Sequence, residues 1–437
     1  MARYVLIQNA RIVREGAKRP EDADLLLKFA EDGKSAVIAE IAPRIARGSL
    51  DGPVSIVNVR GNLVTPCFAD LSVCLREPGS MYKESIEKTV SAAYHGGYDA
   101  FLAFFEPSER DLISDVLAYW QSYPKNGLVS MGFSAQAFLA DGTLALLDEY
   151  LACGNTVLTN RFAVSDNRAI LLAAMRASAR AGKPFVLYPR VASLLRGGVV
   201  NASVASGLKV APLAPVGESL AVAEGIMLAE EAGCSLHIAA ISCEKSVTLV
   251  REAKRVGLPV TADTSPAYFY FNDTEVFYRG AQAKLMPPLR GEADRLAVID
   301  GIADGTIDAI ASHHTPNAER DYRTATLADA PFGSVGLELT LPSAVEALLS
   351  RGVISTVRLV ELLSTAPRRI LKGMGIDCPD GSLSVGSEPN FNILSLDSAV
   401  QIDERHFHGR ATNTPFLGTY LQGHVERTFR RGIEVKL

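Results

Sequence analysis

The side chains of this sequence best suited to chemistry are two adjacent histidines, His313 and His314, and one cysteine, Cys74. The histidines lie in the segment "DAIASHHTPN", and the cysteine lies in "DLSVCLREPG". A neutral imidazole can act as a general base near pH 7, and a thiol becomes a nucleophile when a neighbouring cation lowers its pKa. No third orienting group is evident beside the histidines, so packing is the simpler interpretation of all three side chains.

The elements that must position these residues alternate between apolar strands and amphipathic helices from about residue 66 to residue 370. Examples are the strand "SLHIAAIS" and the helix "CEKSVTLVREAKRVG" that follows it. About eight such repeats predict an α/β fold of the (β/α)8 barrel type. A doubly wound sheet is the alternative, but no GxGxxG motif follows a first strand.

Short strand-like segments flank this region on both sides, for example "YVLIQNARIV" near the start and "GHVERTFRRGIEVKL" at the end. They predict a small β-sandwich built from both termini. The predicted organisation is therefore residues 1–65 in the sandwich, 66–370 in the barrel and 371–437 again in the sandwich.

The composition is that of an ordinary globular protein, because 48% of the 437 residues are hydrophobic, 21% are charged and the formal net charge is -5. This charge gives no reason to expect a nucleic acid or a membrane surface as partner. The sequence shows no signal-peptide core and no apolar span of about 20 residues. The six cysteines form no CxxC pair, which is typical of reduced thiols, so we expect a cytoplasmic protein.

Barrel enzymes carry their chemistry at the carboxyl ends of the strands, so a metal site would take its ligands from those positions. The polar or small side chains predicted there are Ser72, Cys74, Glu106, Thr159, Asn160, Tyr188, Arg190, His237, Ala240, Ser242, Lys284, Arg290, Ser312, His313, His314 and Asn317. A catalytic zinc needs three or more His, Asp, Glu or Cys ligands at about 2.0–2.3 Å. Only Cys74 and one of the two adjacent histidines would face the mouth, so we predict that no metal is bound.

The motifs "LREPG", "KLMPPLRGEADR", "ADGTIDAIASHHTPN", "LLSTAPRRIL" and "ATNTPFLGTYLQGHV" occur in the order found in dihydroorotases, and the chain resembles that family over nearly its whole length. The resemblance implies a zinc-dependent amidohydrolase barrel that opens and closes the dihydroorotate ring in pyrimidine biosynthesis. The "REPG" and "NTPF" segments favour dihydroorotase over the related hydantoinases.

Position by position, however, the resemblance implies a degenerate site. The metal-ligand positions of the family fall on Ser72, Cys74, Asn160, Tyr188 and Ala240, and the catalytic aspartate falls on His313. Among the groups that hold the substrate carboxylate, Arg76 remains, and it could also pair with Glu77 or Glu106. We further expect Glu106, Arg190 and Lys284 to form an ion-pair network in the former metal space, and His237 to be a core histidine.

Three functions remain open on this evidence. The resemblance favours a pseudoenzyme, a non-catalytic subunit that associates with aspartate transcarbamoylase or with itself as a homo-oligomer. The second is an active cyclic-amide hydrolase, of dihydroorotase or hydantoinase type, that uses Cys74 or His313 without the usual metals. The third is a sensor that binds a dicarboxylate or a ureido acid through Arg76.

Overall fold

Two sheets contain nearly all strands, one in the middle of the chain and one formed by its two ends. A computed structural model describes residues 3–33, 35–105, 115, 118–119, 129–139, 142–162, 166–323 and 325–435. In chain order the strands are β1 (Arg3–Ile12), β2 (Glu21–Phe29), β3 (Ala36–Ala42), β4 (Val54–Asn58), β5 (Leu63–Pro66), β6 (Phe68–Leu75), β7 (Tyr98–Phe105), β8 (Ser130–Gln136), β9 (Thr156–Thr159), β10 (Phe185–Leu187), β11 (Val200–Asn201), β12 (Pro212–Leu213), β13 (Leu236–Ile238), β14 (Val260–Thr264), β15 (Ala309–Ile310), β16 (Phe391–Gln401), β17 (Tyr420–Arg430) and β18 (Ile433–Glu434). The described α-helices are α1 (Ile86–His95), α2 (Leu147–Ala152), α3 (Arg168–Arg180), α4 (Ala192–Leu195), α5 (Ala202–Leu208), α6 (Val216–Ala232), α7 (Glu244–Arg255), α8 (Pro266–Tyr270), α9 (Val276–Arg279), α10 (Glu292–Ala303), α11 (Arg320–Arg323), α12 (Thr340–Ala344), α13 (Thr356–Val360) and α14 (Ala366–Gly373).

The middle sheet is a nearly closed parallel barrel in the order β6-β7-β8-β9-β10-β13-β14-β15. The chain after β15 completes the ring, because the Cys74 amide donates to the His314 carbonyl oxygen at 2.8 Å and Val73 bridges His314 in parallel. The predicted (β/α)8 barrel is therefore confirmed, and the doubly wound alternative is wrong. Closure brings the segment 312–315 beside the end of β6, where the candidate residues lie.

The side chains of β6 do not alternate strictly between the two faces of the sheet. The register of β6 against β7 shifts between Asp70 and Val73. A bulge of this kind changes which face each side chain occupies. Leu71 consequently packs in the barrel interior, whereas Val73 and Leu75 pack in the cluster between the barrel and its helices.

Both chain ends contribute to the second sheet, which is mainly antiparallel and has the order β18-β17-β16-β5-β1-β2-β3, with β4 beside β1. The two ends meet where β16 pairs with β5, with Phe391 opposite Pro66. The predicted small β domain from both termini is thus confirmed, while its boundaries at residues 65 and 370 stay predictions. No described helix combines the length and the apolarity needed to cross a membrane.

Candidate functional site

A buried carboxylate near the end of β14, Asp263, holds two histidines at the mouth of the barrel. His237 Nε2 lies 3.0 Å from Oδ2, His313 Nε2 lies 2.8 Å from Oδ1, and the Ala240 amide donates to Oδ1 at 2.8 Å. Burial alone would raise the pKa of Asp263, but the charge of His313 and the hydrogen bonds from both histidines lower this pKa well below its ordinary value. The carboxylate is therefore ionised at neutral pH and fixed by three partners.

The other side of the His313 ring joins a cluster of hydroxyl groups around one cation. Ser72 Oγ lies 3.0 Å from His313 Nδ1 and 3.0 Å from the Tyr188 hydroxyl. Arg161 donates to Ser72 Oγ at 2.8 Å, to the Tyr188 hydroxyl, and to Thr315 Oγ1 at 3.2 Å. The guanidinium of Arg161 therefore lies among side chains that come from three different strand ends.

Aromatic rings support this cation from two sides. The Arg161 guanidinium carbon lies 4.3 Å from the ring centre of Phe104 and 4.5 Å from that of Tyr188. Cations are attracted to the faces of aromatic rings at such distances. Burial raises the pKa of Tyr188 well above its ordinary value, although the charge of Arg161 opposes the rise. The phenol therefore stays protonated at neutral pH.

Two residues that touch Asp263 have an unusual backbone conformation. Ala240 has φ 60° and His313 has φ 48°, in the left-handed region that non-glycine residues seldom adopt. Such strain persists where surrounding contacts hold it, and it is often found at functional sites. Here the contacts are the hydrogen bonds that both residues make with the Asp263 carboxylate.

Comparison with known proteins identifies the family. The chain is 31% identical over 438 residues to a dihydroorotase of Staphylococcus epidermidis, over 98% of each chain, and 31% identical to one of Staphylococcus aureus, over 99% of this chain and 98% of that one. The chain belongs to the dihydroorotase family. Although no family model matches it, two solved structures share its fold. The L-hydantoinase of Arthrobacter aurescens aligns with a TM-score of 0.82 at 21% identity, over 99% of this chain and 95% of that one. The dihydropyrimidinase of Brevibacillus agri aligns with a TM-score of 0.83 at 20% identity, over 100% of this chain and 95% of that one.

The donors at the mouth of this dihydroorotase homologue do not fit the divalent metal that the family resemblance implies. Both nitrogens of His313 are hydrogen-bonded, the Tyr188 phenol is protonated, and the Arg161 guanidinium lies beside them. In the described part of the chain, one group of three or more His, Cys, Asp or Glu residues has ligand atoms within 4.8 Å of one another. That group is His95, Glu338 and His408, which lies outside the mouth.

His314, the second of the adjacent histidines, faces away from the mouth and joins a buried structural network. Its Nε2 lies 2.9 Å from Glu84 Oε1, and its Nδ1 accepts from the Gly336 amide at 3.3 Å. Glu84 also accepts from the amides of Arg410 and Ala411. Burial raises the pKa of Glu84, but the hydrogen bond and charge of His314 and the two amides outweigh it, so this pKa is lowered.

Three other predicted site residues are buried and make their bonds away from the hydroxyl cluster. Cys74 is fully buried, and its thiol lies 3.9 Å from the Leu75 carbonyl oxygen. The Asn160 amide does not face the cluster, because it bonds to the Tyr188 backbone through Nδ2 at 3.1 Å and Oδ1 at 2.8 Å. His237 is a core histidine with both nitrogens bonded, since Nδ1 lies 2.9 Å from Thr261 Oγ1.

The ion-pair network expected from Glu106, Arg190 and Lys284 stays a prediction, because Glu106 is its only acidic member. The Lys284 ammonium group donates to the Ala328 carbonyl oxygen at 2.7 Å. Glu106 lies outside the described residues. Arg76 donates to the Pro316 carbonyl oxygen at 2.8 Å and to Asn317 Oδ1 at 3.1 Å.

A cavity of about 430 Å³ opens at the barrel mouth. Its described lining includes four cationic side chains, those of Arg76, Lys83, Arg161 and Arg190, together with apolar groups. Sequence reasoning missed Arg161, although it follows the selected Asn160 directly, and it missed Asp263. The signal for Asp263 was a carboxylate within the apolar strand "PVTADT", because a buried carboxylate requires a partner.

Proposed function

We propose that this member of the dihydroorotase family is non-catalytic and acts as a structural or regulatory subunit with aspartate transcarbamoylase. The observation that supports it most is the Arg161 guanidinium bonded to Ser72 and Tyr188, two former ligand positions. A cation there disfavours a divalent metal by direct repulsion. A water molecule that no metal activates keeps its ordinary pKa and is a poor nucleophile at pH 7.

The proton-transfer group that the resemblance implies is also replaced. His313 occupies the position of the family's catalytic aspartate, and both of its ring nitrogens are engaged, by Ser72 and by Asp263. A general base needs a free acceptor within reach of the substrate proton. That both ring nitrogens of His313 are already bonded supports the loss of the family reaction.

An exposed apolar surface is consistent with a role as a subunit. Val216, Leu220 and Met227 follow one face of α6 at helical spacing, and Leu194 lies beside Gly217 at the start of that helix. Met227 is 69% exposed. Contiguous exposed apolar side chains are typical of protein–protein interfaces.

Turnover and metal content test the loss of catalysis together. The assay uses wild type and His408→Ala, because this variant disrupts the one described metal-like cluster outside the mouth. We expect no dihydroorotate turnover from either protein and less than about 0.1 metal ion per chain in the variant. Stoichiometric zinc in the variant, together with turnover, would contradict the proposal.

Co-purification tests the partner. We expect the chain to co-elute with aspartate transcarbamoylase from the same organism and Leu220→Asp to elute separately. Leu296→Asp is the matched control, because Leu296 is exposed to a similar degree on a different helix. The partner assignment fails if the transcarbamoylase assembles and works identically without this chain.

A metal-independent cyclic-amide hydrolase is the second candidate, because Ser72, His313 and Asp263 form a continuous hydroxyl–imidazole–carboxylate chain. This is the order of groups in serine hydrolases. Against it, Ser72 is fully buried, and its hydroxyl accepts from Arg161. Turnover of dihydroorotate or a hydantoin by wild type, lost in Ser72→Ala, would establish this candidate and exclude the first.

A further inference from the structure

We propose that His95, Glu338 and His408 together bind a divalent transition-metal ion of the zinc and nickel class. One ligand atom from each of these side chains lies within 4.8 Å of the other two. All three residues lie outside the barrel mouth, so the inference goes beyond the proposed function. The ion would be structural, because it would join a helix of the barrel to the loop between two strands of the terminal sheet.

Histidines are concentrated around one cavity of about 650 Å³, which lies where β17 of the terminal sheet meets α1. Four of the seven histidines of the chain line this cavity, namely His95, His406, His408 and His424. Imidazole nitrogen is a ligand that suits zinc, nickel and copper, whereas magnesium and calcium prefer oxygen ligands. The donors around this cavity therefore indicate a transition metal.

His95, the last residue of α1, is held in the form that binds a metal. Its Nδ1 lies 2.9 Å from the Ser91 carbonyl oxygen, which can only accept a hydrogen bond. Nδ1 therefore carries the proton, and Nε2 of the neutral ring carries the lone pair. Burial lowers the pKa of His95 and the charge of His408 lowers it further, although the bond to Ser91 opposes them. A neutral ring anchored through its other nitrogen is typical of metal-binding histidines.

The rings of His95 and His408 lie face to face. Their centres are 3.1 Å apart, and their planes differ by 8°. Two imidazolium cations at this distance would repel each other, so the arrangement favours neutral rings, which can act as ligands. The side chain of His408 is 45% exposed, which gives its ring room to turn toward an ion shared with His95.

Glu338 supplies the negative charge of the proposed site. Its side chain is only 6% exposed, and its ion-pair partner in the described part of the chain is His408, whose Nδ1 lies 2.7 Å from Oε1. Arg405 also lines the cavity, but it pairs with Asp403. A buried carboxylate is costly without a compensating positive charge, and imidazole supplies one only when protonated. A metal ion would replace the proton between Glu338 and His408 and supply that charge.

The three ligands come from distant parts of the sequence. His95 ends α1, Glu338 precedes α12, and His408 lies between β16 and β17. Two histidines and one glutamate are a known ligand set for zinc, and they leave a fourth position for water. An ion bound only by the folded chain stabilises it by mass action. Because His408 is exposed, we expect the ion to exchange readily, so that the chain holds it only when metal is supplied.

Calorimetric titration and thermal unfolding of the full chain test the proposal. The chain is first dialysed against a chelator and then against buffer without chelator, and the probes are Zn²⁺ and Ni²⁺, with Mg²⁺ as control. We expect one Zn²⁺ or Ni²⁺ per chain, bound about tenfold or more tightly than Mg²⁺, and a rise in Tm on addition of either ion. Absent binding, or equal binding of all three ions, would overturn the proposal.

Variants locate the ion. His95→Gln and His408→Ala should each weaken Zn²⁺ binding about tenfold or more and remove the rise in Tm. His424→Gln is the matched control, because His424 lines the same cavity but its Nδ1 lies 2.9 Å from Ser398 Oγ, outside the proposed ligand set. Its affinity for Zn²⁺ should stay close to that of wild type. Unchanged affinity in His95→Gln or His408→Ala, both judged folded by circular dichroism, would also overturn the proposal.

Discussion

The variant Asp263→Ala tests whether the buried carboxylate stabilises the barrel mouth in place of a metal. It removes the acceptor of three hydrogen bonds, two from histidines and one from the Ala240 amide, at a position with no solvent exposure. Removing one partner of a buried charged network costs about 3–5 kcal/mol, because the remaining donors lose their acceptor. Unfolding entropy is about 2.1 cal/mol/K per residue, so for a chain of 437 residues the expected fall in Tm is about 3–5 °C.

Differential scanning calorimetry at pH 7 measures this loss, with Asp380→Ala as matched control. Asp380 is exposed and pairs with Lys372, so its removal should cost about 0–1 kcal/mol and shift Tm by about 1 °C or less. A chelator should leave the Tm of wild type unchanged. Equal, small shifts for Asp263→Ala and Asp380→Ala would refute the stabilising role, and a large fall with chelator alone would assign that role to a metal.

Two further predictions concern pH and backbone space. The folded-state pKa values of Asp263 and Glu84 are lowered, so the stability that these carboxylates contribute is present above about pH 4 and is lost as pH falls through the lowered values. The urea midpoint of unfolding should therefore fall from pH 6 to pH 3. The variant Glu84→Gln should make this midpoint less dependent on pH. Gly336→Ala should lower Tm by several degrees or prevent folding, because the added Cβ would lie 2.1 Å from the Ser312 carbonyl oxygen. The control is Gly291→Ala, whose added Cβ meets no atom within 4 Å, so its Tm in calorimetry should be nearly unchanged.

The sequence predicted the barrel because strand and helix periodicities are local properties that the fold preserves. It could not predict where Arg161 points, because a long side chain after a strand can extend to solvent or fold back over the mouth. It could not predict the orientation of the Asn160 amide for a related reason: this amide bonds to the Tyr188 backbone, a pairing that depends on the distance between β9 and β10. Asp263 could not be recognised because it lies within an apolar strand, and its two histidine partners come from distant segments.

The register shift in β6 shows a second limit of sequence reasoning. Strict alternation would place Leu71 with Val73 and Leu75, but the bulge after Asp70 separates them. The cause is tertiary: the Asp70 carboxylate accepts from the amides of Ser72 and Ser312, at 2.8 Å and 2.7 Å, and so ties the first strand to the segment that closes the barrel. A period-of-two pattern contains no information about such a contact.

The pairing of β16 with β5 has a consequence for biosynthesis. Pro66 is synthesised long before Phe391, which pairs with it across the sheet. The edge of β5 that binds β16 therefore stays unpaired while the barrel is being synthesised. Exposed strand edges promote association with other chains. The terminal domain therefore completes only after the barrel has been synthesised, and a stop codon shortly before residue 391 would yield a product prone to aggregate even though every barrel strand is encoded.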